Sequence, residues 1–409
     1  MQAFDVIIVG TGHAGAQTAV ALRQHGFAGS IAMLSKEPDP PYERPPLSKE
    51  YLAGEKPFER MLIRPLEFWA ERQVELRLGR SVAAVRPDER RVILADGDGL
   101  AYGALVWAAG GNPRRLRCEG ADLAGVHSIR TRADVDALRA RLPGAARVAV
   151  IGGGYIGLEA AAVLTGLGKA VTLIEAADRL LARVAAPPLA DFYAAEHRRR
   201  GVEVRTGVAV EALLGEDGAA AGVRLAGGEV VAADLVVVGI GIAAAATPLL
   251  EAGAAGGDGV DVDEYGRTSL AGIYAAGDCA AHRNRFAGGH RIRLESVQNA
   301  HDQANVVARA IMGSPEPYRA LPWFWSNQYD LRLQTAGLGR GFDDLVVRGD
   351  PGQRSFSMAY LRQGRLIALD AVNAVKDYVQ ARKLILDGAA IDRARLADPS
   401  RPLKDSASA

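Results

Sequence analysis

An α/β chain of two parallel, doubly wound units, the second inserted in the first, with a small α+β domain at the end, is predicted by three observations. A buried-strand pattern, a glycine turn and a helix pattern follow one another at the N-terminus and again at mid-chain. Each copy is followed by a further strand pattern that ends in a glycine crossing point. From about residue 319, short alternating runs replace the long α/β periods.

The first copy opens with Phe4–Val9, an apolar run rich in β-branched residues, as in a strand buried on both faces. Gly10-Thr11-Gly12-His13-Ala14-Gly15 comes next, then Ala16–Leu22, a good helix stopped by Gly26. Gly10 suits the tight turn, Gly12 lets backbone approach a pyrophosphate, and Gly15 lets the helix lie close on the strand. The helix N-terminus offers N–H groups and a positive dipole end to phosphates. Together they describe a Rossmann-like dinucleotide site.

In the second copy Arg147–Ile151 reads as the strand, Gly152-Gly153-Gly154-Tyr155-Ile156-Gly157 as the turn, and Leu158–Leu164 as the helix. Ala170–Glu175 is then a buried strand whose last residue is acidic. It lies about twenty residues past the turn, where an acid accepts hydrogen bonds from a ribose 2′-hydroxyl. Two such sites suggest two dinucleotides, one resident and one exchanged.

Val92–Leu94 and Ala104–Arg114 form a hairpin and crossing after the first site, and Val230–Gly241 repeats that form after the second. The first unit therefore resumes beyond Gly241. Gly272–Asp278 has the needed form, a buried strand ending in a carboxylate at the sheet edge where ligands bind. Asp278 can cap the next helix, hold a ligand hydroxyl, or do both. The predicted domains are 1–112 with 243–318, then 113–242, then 319–409. In the last, Leu321–Gln328 holds two of the four tryptophans, and runs at Leu333–Gly337, Leu345–Arg348, Arg354–Leu361 and Leu366–Val372 precede a helix from Val375 to Leu386. The polar tail after Pro399 is expected to fray.

At 409 residues, 49% hydrophobic and 24% charged, the composition is that of a globular enzyme of two or three domains. A net charge of +1 gives no whole-molecule attraction to nucleic acid or membrane. No apolar run is long enough to span a bilayer. The strand that starts at residue 4 leaves no room for a targeting peptide, and two cysteines, Cys118 and Cys279, fit a reducing compartment; the expectation is cytoplasmic. No metal-ligand cluster stands out.

Beyond the two turns, four stretches carry a resemblance: Pro41-Tyr42-Glu43-Arg44-Pro45-Pro46-Leu47-Ser48-Lys49, Tyr274–Cys279, Glu295-Ser296-Val297-Gln298-Asn299-Ala300, and Pro322-Trp323-Phe324-Trp325-Ser326. With them the whole chain resembles the two-dinucleotide flavoproteins related to glutathione reductase, in the branch of NADH-dependent ferredoxin reductases that serve bacterial oxygenases. That resemblance implies FAD on the first site, held by Gly10, Gly12, His13, Ala14, Gly15, Glu37, Arg44, Lys49, Val82, Ala109, Gly110, Arg130, Asp278, Val297 and Trp325. It implies NADH on the second, held by Gly152, Gly154, Tyr155, Ile156, Gly157, Glu175, Arg183 and Gly241. Glu175 repels a 2′-phosphate, so NADH is expected over NADPH. Lys49 and Glu159 are expected to pair beside the flavin, and Trp325 to lie over it as the electron exit.

Disulfide reductases of this superfamily carry cysteine soon after the first strand–turn–helix, whereas residues 36–60 hold none here. Thiol chemistry is therefore not expected. A flavin that accepts hydride and releases single electrons suits a [2Fe–2S] ferredoxin. The basic run 281–293 (Arg283, Arg285, Arg291, Arg293, with His282 and His290) has no acid and, together with Arg64, is the expected docking patch. A monomer or weak dimer is expected. The rival readings are an NADH oxidase that reduces O2 and a redox-state binding protein resembling apoptosis-inducing factor. The chain departs from the family pattern where Ser35-Lys36 precede Glu37, at Ala109 for Thr, at 241–244, which lack Pro-Asn, and at Asn327 for Asp.

Overall fold

The computed structural model describes residues 2–408. Its contacts separate two compact units. One runs up to Glu43 and takes in Phe58–Asn112 and Ala243–Phe324; the other comprises Arg44–Pro57, Pro113–Ile242 and the chain from Trp325.

The first unit is built on a sheet in the order Val74–Arg77, Ile31–Leu34, Gln2–Val9, Gly99–Trp107, Arg91–Leu94, Val82–Arg86, with Ile273–Ala275 also on Gly99–Trp107. The strands from Val74–Arg77 to Gly99–Trp107 and Ile273–Ala275 run parallel, and the last two add an antiparallel flank. The opening strand alternates between two cores. Val6 and Ile8 pack with Ala16, Ala19 and Val307 of the helices, and Ile7 and Val9 with Leu105, Trp107 and Ile273. Burial on both sides is why Phe4–Val9 is almost uninterruptedly apolar. The insertion predicted from sequence is seen directly: Ile273–Ala275 returns to the sheet after an excursion of well over a hundred residues, and the Trp107 indole N–H donates to the Ala245 carbonyl at 2.6 Å.

The second unit contains a parallel sheet in the order Glu203–Thr206, Ala170–Glu175, Arg147–Ile151, Leu235–Val238, Val126–Ser128. It also holds the antiparallel meander Val210–Glu216, Ala219–Leu225, Val230–Ala232. A five-stranded sheet follows, ordered Trp323–Gln328, Leu331–Gly337, Arg365–Val372, Ser355–Arg362, Asp344–Asp350, with the helix Val375–Asp387 against it. The alternating runs read from sequence correspond to these strands.

Two features differ from expectation. Residues Arg44–Pro57, inside the span 1–112, pack in the second unit, where Tyr51 and Leu52 are buried and the Tyr51 hydroxyl donates to Asp136 at 2.6 Å. The tail does not fray. Leu403 and Ser406 are buried, Ser408 N–H donates to the Ala390 carbonyl at 2.8 Å, and the buried Arg348 guanidinium donates to the carbonyls of Leu396, Asp398 and Arg401. One leucine and one buried arginine outweigh a polar composition that favours solvent.

Candidate functional site

The first glycine turn is dictated by crowding. Gly10 has φ +106°, and a Cβ there would lie 2.2 Å from the Ala108 carbonyl oxygen; a Cβ on Gly15 would lie 1.9 Å from that of Gly10. Gly12 is different: a Cβ there meets nothing within 4 Å. It caps the helix His13–Gln24 without a side-chain hydrogen bond, and no acid stands in the first turn. Open space before an uncapped helix N-terminus is a phosphate cradle.

The structure gathers the distant FAD candidates of this unit at that same sheet edge. Gly277 carries its backbone against Ala14, where a Cβ would come within 3.0 Å, and this sets Asp278 beside the turn. Val297 begins the helix Val297–Ile311, capped by the Ser296 hydroxyl and packed on His13–Gln24, with the Gln17 amide donating to Asn305 at 3.0 Å and the His13 and His301 rings 5.8 Å apart. Ala109 and Gly110 follow the strand Gly99–Trp107, and Gly110 has φ +65°. Val82 lies farther off in sheet order, at the start of the last strand of the antiparallel flank, Val82–Arg86.

The second turn repeats the first. Gly152 has φ +111° and would place a Cβ 2.4 Å from the Gly239 carbonyl; Gly157 would place one 1.9 Å from that of Gly152; Gly154 is open and caps Tyr155–Gly166 without a side chain. Ile156 is exposed at the helix start, and burial raises the Tyr155 hydroxyl pKa beside it. Glu175 accepts from Gly153 N–H at 2.6 Å and Ala177 N–H at 2.7 Å, which pins its carboxylate against the turn. Arg183 and Gly241 come together, since a Cβ on Gly241 would lie 3.4 Å from the Arg183 guanidinium.

Comparison of the two copies locates the missing acid. Gly10 N–H donates to Leu34, and Gly152 N–H to Ile174, so Ser35 occupies the place of Glu175. The Ser35 hydroxyl accepts from Glu37 N–H at 3.1 Å, as Glu175 does from Ala177 N–H. Serine thus keeps the backbone cap but not the charge. The next carboxylate in the chain is that of Glu37, which accepts from the Tyr42 hydroxyl at 2.6 Å.

Lys49 and Glu159 are brought into contact, as expected. The Lys49 ammonium donates to Glu159 Oε2 at 2.6 Å, with side chains 11% and 1% exposed. Ser48 donates to the same oxygen at 2.6 Å and Ser326 to Oε1 at 2.7 Å, so the buried carboxylate is fully engaged. Ser48 and Ser326 were not singled out from sequence. Both lie inside the two quoted motifs, next to Lys49 and Trp325, which was the available signal. Arg44 donates to the Arg130 carbonyl at 2.8 Å and so joins two further FAD candidates. Trp325 is half-buried on Trp323–Gln328, facing away from Ser326 by strand alternation.

The basic run needs correction. Arg293 is 7% exposed and paired with Asp258 at 3.1 Å and Glu295 at 3.0 Å, and Arg291 is paired with Asp261 at 2.7 Å. His282 is buried. Asp261 and Asp258 come from a neighbouring strand and loop, which the local sequence could not show, whereas Glu295 stands just past the run. Arg64, Arg283 and Arg285 are exposed, as is Arg291 despite its pairing with Asp261. Burial pushes the Cys279 thiol up to about 11 and raises that of Cys118, so neither offers a ready thiolate. Among the described residues there is no group of three metal-ligating side chains, and no helix long and apolar enough to cross a membrane.

Two uncapped helix N-termini, each fronted by a glycine with open space, fit two dinucleotide pyrophosphates. The fold and site thus define a protein with two dinucleotide sites on two Rossmann-like units. The chain belongs to the pyridine nucleotide-disulphide oxidoreductase family, whose pattern matches residues 4–304, and residues 323–407 match the reductase C-terminal domain. Its cofactors are FAD and NAD(P)H. It is 59% identical over 406 residues to the ferredoxin reductase subunit of 5,5′-dehydrodivanillate O-demethylase from a Sphingobium species, covering 99% of this chain and 98% of that one. It is 59% identical to a ferredoxin–NAD(P)+ reductase from a Sphingomonas species, covering 98% and 97%. Among solved structures it matches the reductase of the covalent putidaredoxin reductase–putidaredoxin complex at a TM-score of 0.95 and 38% identity, covering 98% and 97%.

Proposed function

We propose that this chain is an NADH-dependent ferredoxin reductase, with FAD on 1–112 and 243–318, NADH on 113–242, and 319–409 as its C-terminal domain. The observation that carries this is the buried Lys49–Glu159 pair on a segment that bears cysteine in the disulfide-reducing relatives and bears none here. When bound, FAD takes a hydride from NADH as an electron pair and hands electrons on one at a time. Gly12 and the start of His13–Gln24 would hold its pyrophosphate, Glu37 the adenosine ribose, Asp278 the ribityl chain, and Val297 N–H the pyrimidine end. Lys49, held by Glu159, would supply a positive charge to balance the negative charge of the reduced flavin. The close identity to reductase components of oxygenase systems supports a [2Fe–2S] ferredoxin as acceptor and an oxygenase downstream.

The test is cytochrome c reduction by NADH with and without added [2Fe–2S] ferredoxin. Strong dependence on ferredoxin is expected. Brisk O2 consumption with no response to any ferredoxin would make the chain an oxidase instead.

Two expectations follow for specificity. Glu175 is braced against the Gly153–Gly154 turn, so a 2′-phosphate meets a fixed negative charge. Glu175→Arg should lower the NADH over NADPH ratio of kcat/KM by about 10²-fold, and Glu175→Ala by about tenfold. An unmoved ratio would remove the assignment. With Arg64, Arg283 and Arg285 as the exposed docking charges, the KM for ferredoxin should climb as salt is raised from low to physiological strength. Arg283→Glu with Arg285→Glu should flatten that slope and leave flavin reduction by NADH unchanged; a slope that persists would place docking elsewhere.

A further inference from the structure

Behind Glu159 lies a buried chain of polar groups that the proposed reaction does not use. Ser326, which donates to Glu159 Oε1 at 2.7 Å, accepts from the Gln328 amide N–H at 3.2 Å. The Gln328 carbonyl oxygen lies 2.9 Å from His197 Nε2, and His197 Nδ1 lies 3.0 Å from the Tyr329 hydroxyl. Ser326, Gln328 and His197 are all buried to 1% exposure or less. Because the Gln328 amide N–H is spent on Ser326, its oxygen faces His197, which must donate from Nε2. Nδ1 is then the acceptor for the Tyr329 hydroxyl. Every donor in the chain points toward the Glu159 carboxylate, so each bond polarises the next.

The outer end of this chain is held under strain. Tyr329 turns the hairpin between Trp323–Gln328 and Leu331–Gly337 at φ +56°, a region large aromatic side chains rarely adopt. It is fixed there from two sides. The Arg200 guanidinium sits 4.8 Å from its ring centroid, and the His197 ring is 5.1 Å away. Asp330, the other turn residue, pairs with both Arg200 and Arg354. Burial lowers the His197 pKa, which keeps the ring neutral as the chain requires.

We infer that His197 is a positioning residue for the Lys49–Glu159 pair. Through Gln328 and Ser326 it sets the direction of the Glu159 carboxylate and hence of the Lys49 ammonium. This rests on the reading that Lys49 and Glu159 face the flavin. Without the imidazole N–H, the Gln328 amide is free to turn over, Ser326 loses its fixed donor, and Glu159 Oε1 its constant partner.

The test compares His197→Leu and Ser326→Ala with Lys49→Met in the FAD-loaded protein, reading the flavin midpoint potential, anaerobic flavin reduction by NADH, and Tm. Both chain variants should slow flavin reduction about three- to tenfold. Both should also shift the potential in the same direction as Lys49→Met but by less. A lower Tm with the potential unmoved in both, while Lys49→Met moves it, makes His197 merely structural and overturns the inference. A potential unmoved by Lys49→Met overturns the reading beneath it and the inference together. If His197→Leu does not fold, Ser326→Ala and Tyr329→Phe decide by the same readouts.

Discussion

Lys49→Met is expected to slow anaerobic flavin reduction by NADH about 10²-fold and to destabilise the protein by about 3–5 kcal/mol. The two effects have different causes. Met fills the space of the lysine stem but leaves the Glu159 carboxylate, 1% exposed, with only the Ser48 and Ser326 hydroxyls to balance its charge. A buried carboxylate without its cation is what costs stability. On the proposed assignment, the rate loss comes from removing the positive charge that would lie beside the reacting ring. The paired replacement Lys49→Met with Glu159→Leu separates them: most of the stability should return, because no buried charge is left, while the rate stays low. Stopped-flow reduction and chemical denaturation measure the two terms. Recovery of the rate in the double variant would mean that the pair is structural only.

The glycines of the first turn give the second large effect, and they should not behave alike. Gly15→Ala drives a Cβ to 1.9 Å from the Gly10 carbonyl, and Gly10→Ala adds a left-handed φ to a 2.2 Å clash with Ala108. Each should cost about 4 kcal/mol or more and yield little folded protein. Gly12→Ala meets no atom within 4 Å and keeps an ordinary φ of −70°. The apoprotein should therefore fold with a stability within about 0.5 kcal/mol of the parent. Its FAD affinity should nevertheless fall about 10²-fold, since the new methyl occupies the approach of the pyrophosphate. Flavin retention on desalting, read with the melting curve, decides it. A Gly12→Ala protein that keeps its full flavin would move the cofactor off this turn.

Much of this was legible in the sequence because the features are local. A strand buried on both faces must be apolar at every position, and a turn closed to 1.9 Å admits only glycine, so both copies of the motif announce themselves. The return of Ile273–Ala275 to the first sheet was legible for the same reason. The displaced acid was harder. Ser35 looked like an absence until the register showed it in the place of Glu175, with the Glu37 carboxylate two residues on. The basic run misled because charge is a pairwise property: Arg291 and Arg293 are neutralised by Asp261 and Asp258, which are thirty residues or more away in the chain, with Glu295 just past the run as a further partner of Arg293. The tail misled likewise, since the carbonyls of Leu396, Asp398 and Arg401 meet their donor, Arg348, only in the fold.

By itself, then, the sequence determined the duplicated nucleotide folds, the glycines that shape both turns and the inserted order of the units. Those rest on backbone sterics and periodicity, which adjacent residues express directly. Only the tertiary structure decided what holds Glu159 in place, which arginines stay exposed, and where Arg44–Pro57 packs. Those depend on partners distant in the chain, and a buried hydrogen bond between residues 48, 159, 197, 326 and 328 leaves no period or spacing to read.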